Sequence, residues 1–308
     1  MSRSVPRRTS TPRRAAAGIT IGARLAALER RYARHGAALG QVAGSAHDEA
    51  LYLLLHTLGL PLDSPATVLR RKLTPAEDAR VAEVFRRRLE DRVPAAYLTR
   101  EAWLGDLRFH VDERVIIPRS YFVELLPAVA GLLTGRPVRR VVDVCTGSGC
   151  LAVLLARQFP RAKVDAIELS PGAAAVARFN LAAHRVAGRV RLWHSDVFDA
   201  VPRAKYDLIL SNPPYVPTRE LRGLPEEYRR EPAMALDGGR DGLDVIRKLL
   251  RQARERLQPH GLVVLEVGGL RRAMDRAFPE LDLQWLPTAD GEDCVCLTTA
   301  ARLRAWGD

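Results

Sequence analysis

Asn212, Pro213, Pro214 and Tyr215 stand just after the apolar run YDLIL at 206–210. Prolines donate no backbone hydrogen bond and fix their own torsions, so the pair ends sheet pairing and holds the preceding carbonyls in one direction. What remains is the Asn212 side-chain oxygen, the Pro213 carbonyl and the Tyr215 ring: two acceptors beside a flat apolar wall. This array suits a planar NH2 group. An amide or arylamine nitrogen is a poor nucleophile because its lone pair is delocalised, but two acceptors on its hydrogens can aim that lone pair at an electrophile. Positioning then supplies most of the catalysis, with no strongly shifted base required.

A second cluster lies upstream in VVDVCTGSGCLA at 141–152. Cys145, Thr146, Gly147, Ser148 and Gly149 connect a short apolar run to a helical stretch, and glycines there let backbone approach a ligand closely, as at the adenosine-binding crevice of doubly wound sheets. Gly147, Gly149 and Ala152 also satisfy the spacing of a dinucleotide loop. Glu168 lies 21 residues beyond Gly147, at the end of the next apolar run, placed to accept from a ribose diol of NAD or S-adenosylmethionine alike. Asp143 separates the two: a carboxylate beside the loop repels a pyrophosphate and suits a ligand bearing ammonium and sulfonium charge. The predicted cofactor is therefore S-adenosylmethionine, with Asp143, the 145–149 loop and Glu168 around it and Asn212 reaching the same site. Asp196, in HSD, closes the following strand and is placed to accept from the adenine amine.

These residues need an α/β scaffold. After Pro137, short apolar segments (RRVVDV, KVDAIE, RVRLWH, YDLIL, GLVVLEV) alternate with Ala- and Arg-rich helical stretches, which predicts a mostly parallel sheet covered on both faces. LDLQWLPTADGEDCVCLTTA ends the chain as two strands around a turn at Asp290 and Gly291. Residues 21–100 carry apolar residues three and four apart and predict a small helical domain; Thr74, Pro75 and Glu77 form a capping box. Residues 101–118, with a Gly-Asp turn, predict a β-hairpin linker, and residues 119–308 the catalytic domain. Residues 1–20 are rich in Arg, Ser, Thr and Pro and predict a disordered basic tail.

Composition narrows the classes. The chain has 308 residues and 48 Lys plus Arg against 36 Asp plus Glu, a balance of +12 that attracts polyanions and predicts weak RNA contact. No apolar run approaches the ~18 residues of a membrane span. Cys145, Cys150, Cys294 and Cys296 make neither a disulfide framework nor a CxxC metal site, so no metal is expected, and reduced thiols suit the cytoplasm.

Taken together, these motifs resemble the Asn-Pro-Pro-Tyr class of S-adenosylmethionine-dependent methyltransferases, and within it the protein glutamine methyltransferases. The resemblance runs from about Asp48 to Thr299. It includes PAAYLTREAWLGDLRFHVDERVIIPRSYFVELL before the loop and EYRREPAMALDGGRDGL after the catalytic turn. IPRSYFVELL with Ser120, DVCTGSGCLAV with Cys145 and Cys150, and WLPTADGEDCVCLT are similar to the branch acting on the third protein of the large ribosomal subunit; the release-factor branch has PRPDTE and DLGTGSG at the first two places. The resemblance implies a class I Rossmann-like sheet of seven strands with the last antiparallel. It also implies Asn212, Pro213, Pro214 and Tyr215 as the glutamine-amide site, and a ribosomal protein as partner, met before or during ribosome assembly. The alternatives are the same reaction on the GGQ glutamine of release factors, methylation of an exocyclic amine in RNA or DNA, and a non-catalytic assembly factor, which would need neither the turn nor the loop.

Overall fold

The structure is a computed structural model that describes residues 18–306. Most of the expected basic tail, residues 1–17, lies outside the described residues. Its last residues do not form a tail: the Leu73 amide donates to the Ile19 carbonyl at 2.9 Å, and Thr20 caps the first helix by accepting from the Ala23 amide.

Four helices come first: α1 (Ile21–His35), α2 (Ala46–Leu58), α3 (Pro75–Leu89) and the short α4 (Ala95–Thr99). In α1 the buried residues Ile21, Leu25, Leu28 and Tyr32 fall on one face at helical spacing, and the helix stops at Gly36 in the left-handed region. Ser45 caps α2, and the Thr74–Glu77 capping box opens α3 as expected. Their inner faces close one cluster around Leu28, Leu53, Leu54 and Phe85.

Arg88, fully buried, fastens these helices to the rest of the chain. Its Nε donates to Glu49 at 2.6 Å, one terminal nitrogen to Glu227 at 3.0 Å and the other to the Ala38 carbonyl at 2.7 Å. Charges this deep persist only when paired and fully hydrogen-bonded.

The hairpin follows, β1 (Glu101–Leu104) against β2 (Leu107–His110), turning at Gly105 with a φ of 60°. Next come α5 (Phe122–Leu132), β3 (Arg140–Val144), α6 (Cys150–Gln158), β4 (Lys163–Glu168), α7 (Pro171–Ala183), β5 (Val190–His194) and β6 (Tyr206–Ser211). Short helices α8 (Glu226–Arg229) and α9 (Ala233–Leu236) precede α10 (Asp244–Ala253), β7 (Leu257–Glu266), α11 (Arg271–Ala277), β8 (Gln284–Leu286), β9 (Val295–Thr299) and α12 (Ala300–Ala305).

The strand order in the seven-stranded sheet is β5-β4-β3-β6-β7-β9-β8, with β9 antiparallel to both neighbours. Central strands are apolar on both sides. Val142 and Val144 face one core layer and Val141 the other, so Asp143 projects toward the layer that holds α6. The order reverses between β3 and β6: the chain runs outward to β4 and β5, then returns to the other side of β3. That reversal leaves a crevice at the carboxyl ends of these strands.

Arg88→Ala should destabilise the protein by about 3–5 kcal/mol, because it strands the Glu49 and Glu227 carboxylates. Urea unfolding of the variant measures it; a loss below ~1 kcal/mol would contradict the fastening role.

Candidate active site

A cavity of about 720 Å³ occupies that crevice, within the range of small-molecule sites. Cys145, Thr146, Gly147, Ser148, Glu168, Asp196, Asn212, Pro213, Pro214 and Tyr215 all line it. Gly149 and Asp143, also expected at the site, do not.

The 145–149 loop is held by its own hydrogen bonds. The Thr146 amide donates to the Ile167 carbonyl at 2.9 Å, the Gly147 amide to Glu168 at 2.8 Å and the Gly149 amide to the Thr146 carbonyl at 2.8 Å. A pyrophosphate site needs such amides turned outward. Here they are spent inside the fold, and the Glu168 carboxylate sits on the loop itself, so the loop suits a cationic adenosine ligand better than a dinucleotide. Gly147 has a φ of 55°, and a side chain there would only touch Ile116. Gly149 serves packing instead: a Cβ would sit 3.3 Å from Ala177 on α7, and the residue opens α6 in the left-handed region. Asn180, also on α7, donates to the Ser148 and His110 carbonyls and so ties the loop to the hairpin.

The three acids differ. Glu168 spreads its oxygens over the Gly147 and Ser170 amides, yet still borders the cavity with acceptor sites left for a diol; burial pushes its pKa up. Asp196 is exposed and paired with Lys248 at 2.7 Å. Asp143 is fully buried behind the loop. One oxygen accepts from the Thr146 hydroxyl, while Oδ1 has no hydrogen-bond partner among the described residues. Burial, reinforced by the Glu168 charge, pushes its pKa up to about 7. An acid so poised is stabilised by any cation that approaches the loop.

Two non-glycine residues on the cavity wall have left-handed backbone: Cys145 at a φ of 62° and the β-branched Val197 at 51°. Such conformations persist only where surrounding structure enforces them, and they collect at binding sites. No local sequence signal marks them.

The 212–215 turn is trapped from behind by glycines. A Cβ on Gly238 would lie 2.8 Å from the Tyr215 Cα, one on Gly242 would collide with the Tyr215 carbonyl, and one on Gly268 would lie 2.6 Å from the Tyr215 ring. Val216 pairs with the 236–238 segment, its amide donating to the Leu236 carbonyl at 2.8 Å and its carbonyl accepting from Gly238 at 2.9 Å. Burial pushes the Tyr215 phenol up to about 12, so the ring stays neutral and serves as a wall. Arg119, on the facing side, forms a two-point ion pair with buried Glu231 at 2.8 and 3.0 Å and lies over the Tyr228 ring. Glu231 also accepts from Gln41, so the front helices reach this wall.

The methyltransferase small domain family matches residues 125–223. The ribosomal protein uL3 glutamine methyltransferase of Burkholderia pseudomallei is 46% identical over 89% of this chain and 92% of its own length. Its counterpart from Neisseria gonorrhoeae is 44% identical over 89% of this chain and 92% of its own. This chain belongs to the uL3 glutamine methyltransferase family. A crystal structure of a Pyrococcus furiosus methyltransferase, 19% identical, covers 64% of this chain and 90% of that one with a TM-score of 0.47. The seven-stranded, mostly parallel sheet and the family membership together make this the Rossmann-like sheet of class I methyltransferases.

In this family member the residues missed from sequence are those that act across the fold: Asn180, the Arg119–Glu231 pair and the glycines at 238, 242 and 268. Arg119 lies in IPRSYFVELL, and Glu231, Gly238 and Gly242 in EYRREPAMALDGGRDGL, stretches the sequence singled out without a role for any of these residues.

Asp143 binds its proton more tightly folded than unfolded. Its burial therefore costs nothing below the usual carboxylate range, and stability falls as pH rises from there to about 7. Asp143→Asn should flatten that fall in ligand-free protein, followed as melting temperature against pH; an unchanged profile would show that the carboxylate is not buried as a charge.

Proposed function

We propose that this protein methylates the side-chain amide nitrogen of a glutamine in ribosomal protein uL3, with S-adenosylmethionine as donor. The observation that carries the reading is the rigid Asn212–Tyr215 turn, clamped by glycines and opening on the same cavity as the 145–149 loop. Family membership supports it independently.

When bound, S-adenosylmethionine supplies an electrophilic methyl on a positively charged sulfur. Glu168 would hold its ribose, the 145–149 loop and Asp143 behind it would favour its positive charge, and Asp196, paired with Lys248, would accept from its adenine amine. The Asn212 oxygen and the Pro213 carbonyl hold the two hydrogens of the glutamine amide, and the neutral Tyr215 ring bounds the third side. Held in this way, the nitrogen turns its lone pair out of conjugation and toward the donor. Its surplus proton leaves after transfer, and no residue of the turn has to titrate.

Substrate approaches past Tyr228 and Met234, both on the cavity wall, and the exposed Met234 offers an adaptable apolar contact. The uL3 chain is met before or during ribosome assembly, when the glutamine is accessible, and the basic surface adds weak contact with RNA. No helix among the described residues is long and apolar enough to cross a membrane, which suits work on a ribosomal protein in the cytoplasm.

Purified protein and labelled methyl donor, incubated separately with free uL3, assembled large subunits, release factor and RNA, test the reading. Label is expected on a uL3 glutamine, faster in the free protein. Label on release factor or RNA instead would replace the substrate assignment. Asn212→Ala should slow transfer by ~100-fold or more with cofactor affinity retained. Asp143→Ala should chiefly weaken cofactor binding measured by calorimetry.

A further inference from the structure

Glu266 ends β7 and is 5% exposed, behind the catalytic turn and off the cavity wall. Ser211 pairs with Leu265 across β6 and β7, so Asn212 and Glu266 come side by side one residue farther along. The carboxylate is held firmly on one side: Oε2 accepts from the Ser120 hydroxyl at 2.5 Å and from the Tyr121 amide at 3.2 Å. Ser120 has its own oxygen taken by the Phe122 amide at 3.1 Å, which commits its proton to Glu266. Oε1 is thereby left as the acceptor available to the Asn212 amide beside it. The Asn212 Nδ2 also faces the Arg119 carbonyl at 3.5 Å. An amide set against two acceptors turns its NH2 group to them and its oxygen away.

We propose that Glu266 is a positioning residue that fixes which way round the Asn212 amide sits, so that Oδ1, not Nδ2, faces the cavity and receives the substrate NH2. The proposal rests on the reading of the turn as an amide site. The two ends of an asparagine amide are alike in size and opposite in hydrogen bonding, so proline rigidity alone cannot choose between them. A flipped Asn212 would meet the substrate donor with another donor. A carboxylate settles the choice because both of its oxygens accept, and Ser120 and Tyr121 commit their donors to one of them.

Glu266→Gln tests this directly. The Ser120 and Tyr121 donors keep the new amide oxygen on their side, so its NH2 faces Asn212 and turns that residue over. Turnover of uL3 should fall ~100-fold, with melting temperature and cofactor affinity close to the unmutated values. Combining Asn212→Asp with Glu266→Gln restores an acceptor toward both the new amide and the substrate, and kcat should recover ~10-fold or more over the worse single variant. In the unmutated protein the Asn212 NH2 protons, followed by NMR, should exchange slowly with solvent. Wild-type turnover of Glu266→Gln, no recovery in the double variant, or fast exchange of those protons would overturn the proposal. The amide-site reading fails separately: it falls if Asn212→Ala turns over normally, whereas a slow Asn212→Ala beside a fast Glu266→Gln removes the positioning role alone.

Discussion

The close approach of Gly238, Gly242 and Gly268 to the backbone and ring of Tyr215 is the constraint on which the site depends. Two prolines stiffen a turn but do not locate it. Location comes from three points where no Cβ can be accommodated, from the Val216 pairing with the 236–238 segment, and from the sheet that delivers Ser211 beside Val144 and Leu265. A turn held on so many sides has little freedom to lose when a ligand arrives, and that preorganisation is what the proposed amide site would require.

Buried charge extends the same constraint outward. Arg88, paired with Glu49 inside the front helices, reaches Glu227, and Arg119, just after the hairpin, reaches Glu231, both in the segment after the 212–215 turn. Such pairs add little net stability over apolar packing, but each member punishes the loss of its partner. They therefore specify one arrangement of helices, linker and turn. This wall of the cavity is built jointly by residues far apart in the chain.

The 145–149 side of the cavity follows a different logic. Its Thr146, Gly147 and Gly149 amides are taken up by acceptors within the fold, Glu168 among them, and Asp143 waits behind the loop, poorly solvated. A cationic ligand relieves that arrangement, while an anionic one aggravates it. The same glycine spacing that is ambiguous as a motif thus acquires a sign once the partners of its backbone are seen.

Local signals made much of this protein legible from residues alone. The Thr74 capping box, the Gly105 turn, alternation of strand and helix after Pro137, and Asn-Pro-Pro-Tyr after an apolar strand are each encoded within a few neighbouring residues, and the structure forms them there. The tertiary structure decided what depends on contacts between distant segments. It put Asp143 behind the loop because strand alternation aims it into the layer of α6, and it gave Gly149 to packing against α7. It also set Glu266 beside Asn212 by the register of β6 on β7. A sequence states the chemistry each residue can perform and the torsions it tolerates; which acceptor faces which donor is settled only when strands pair and their side chains are driven to one side of the sheet or the other.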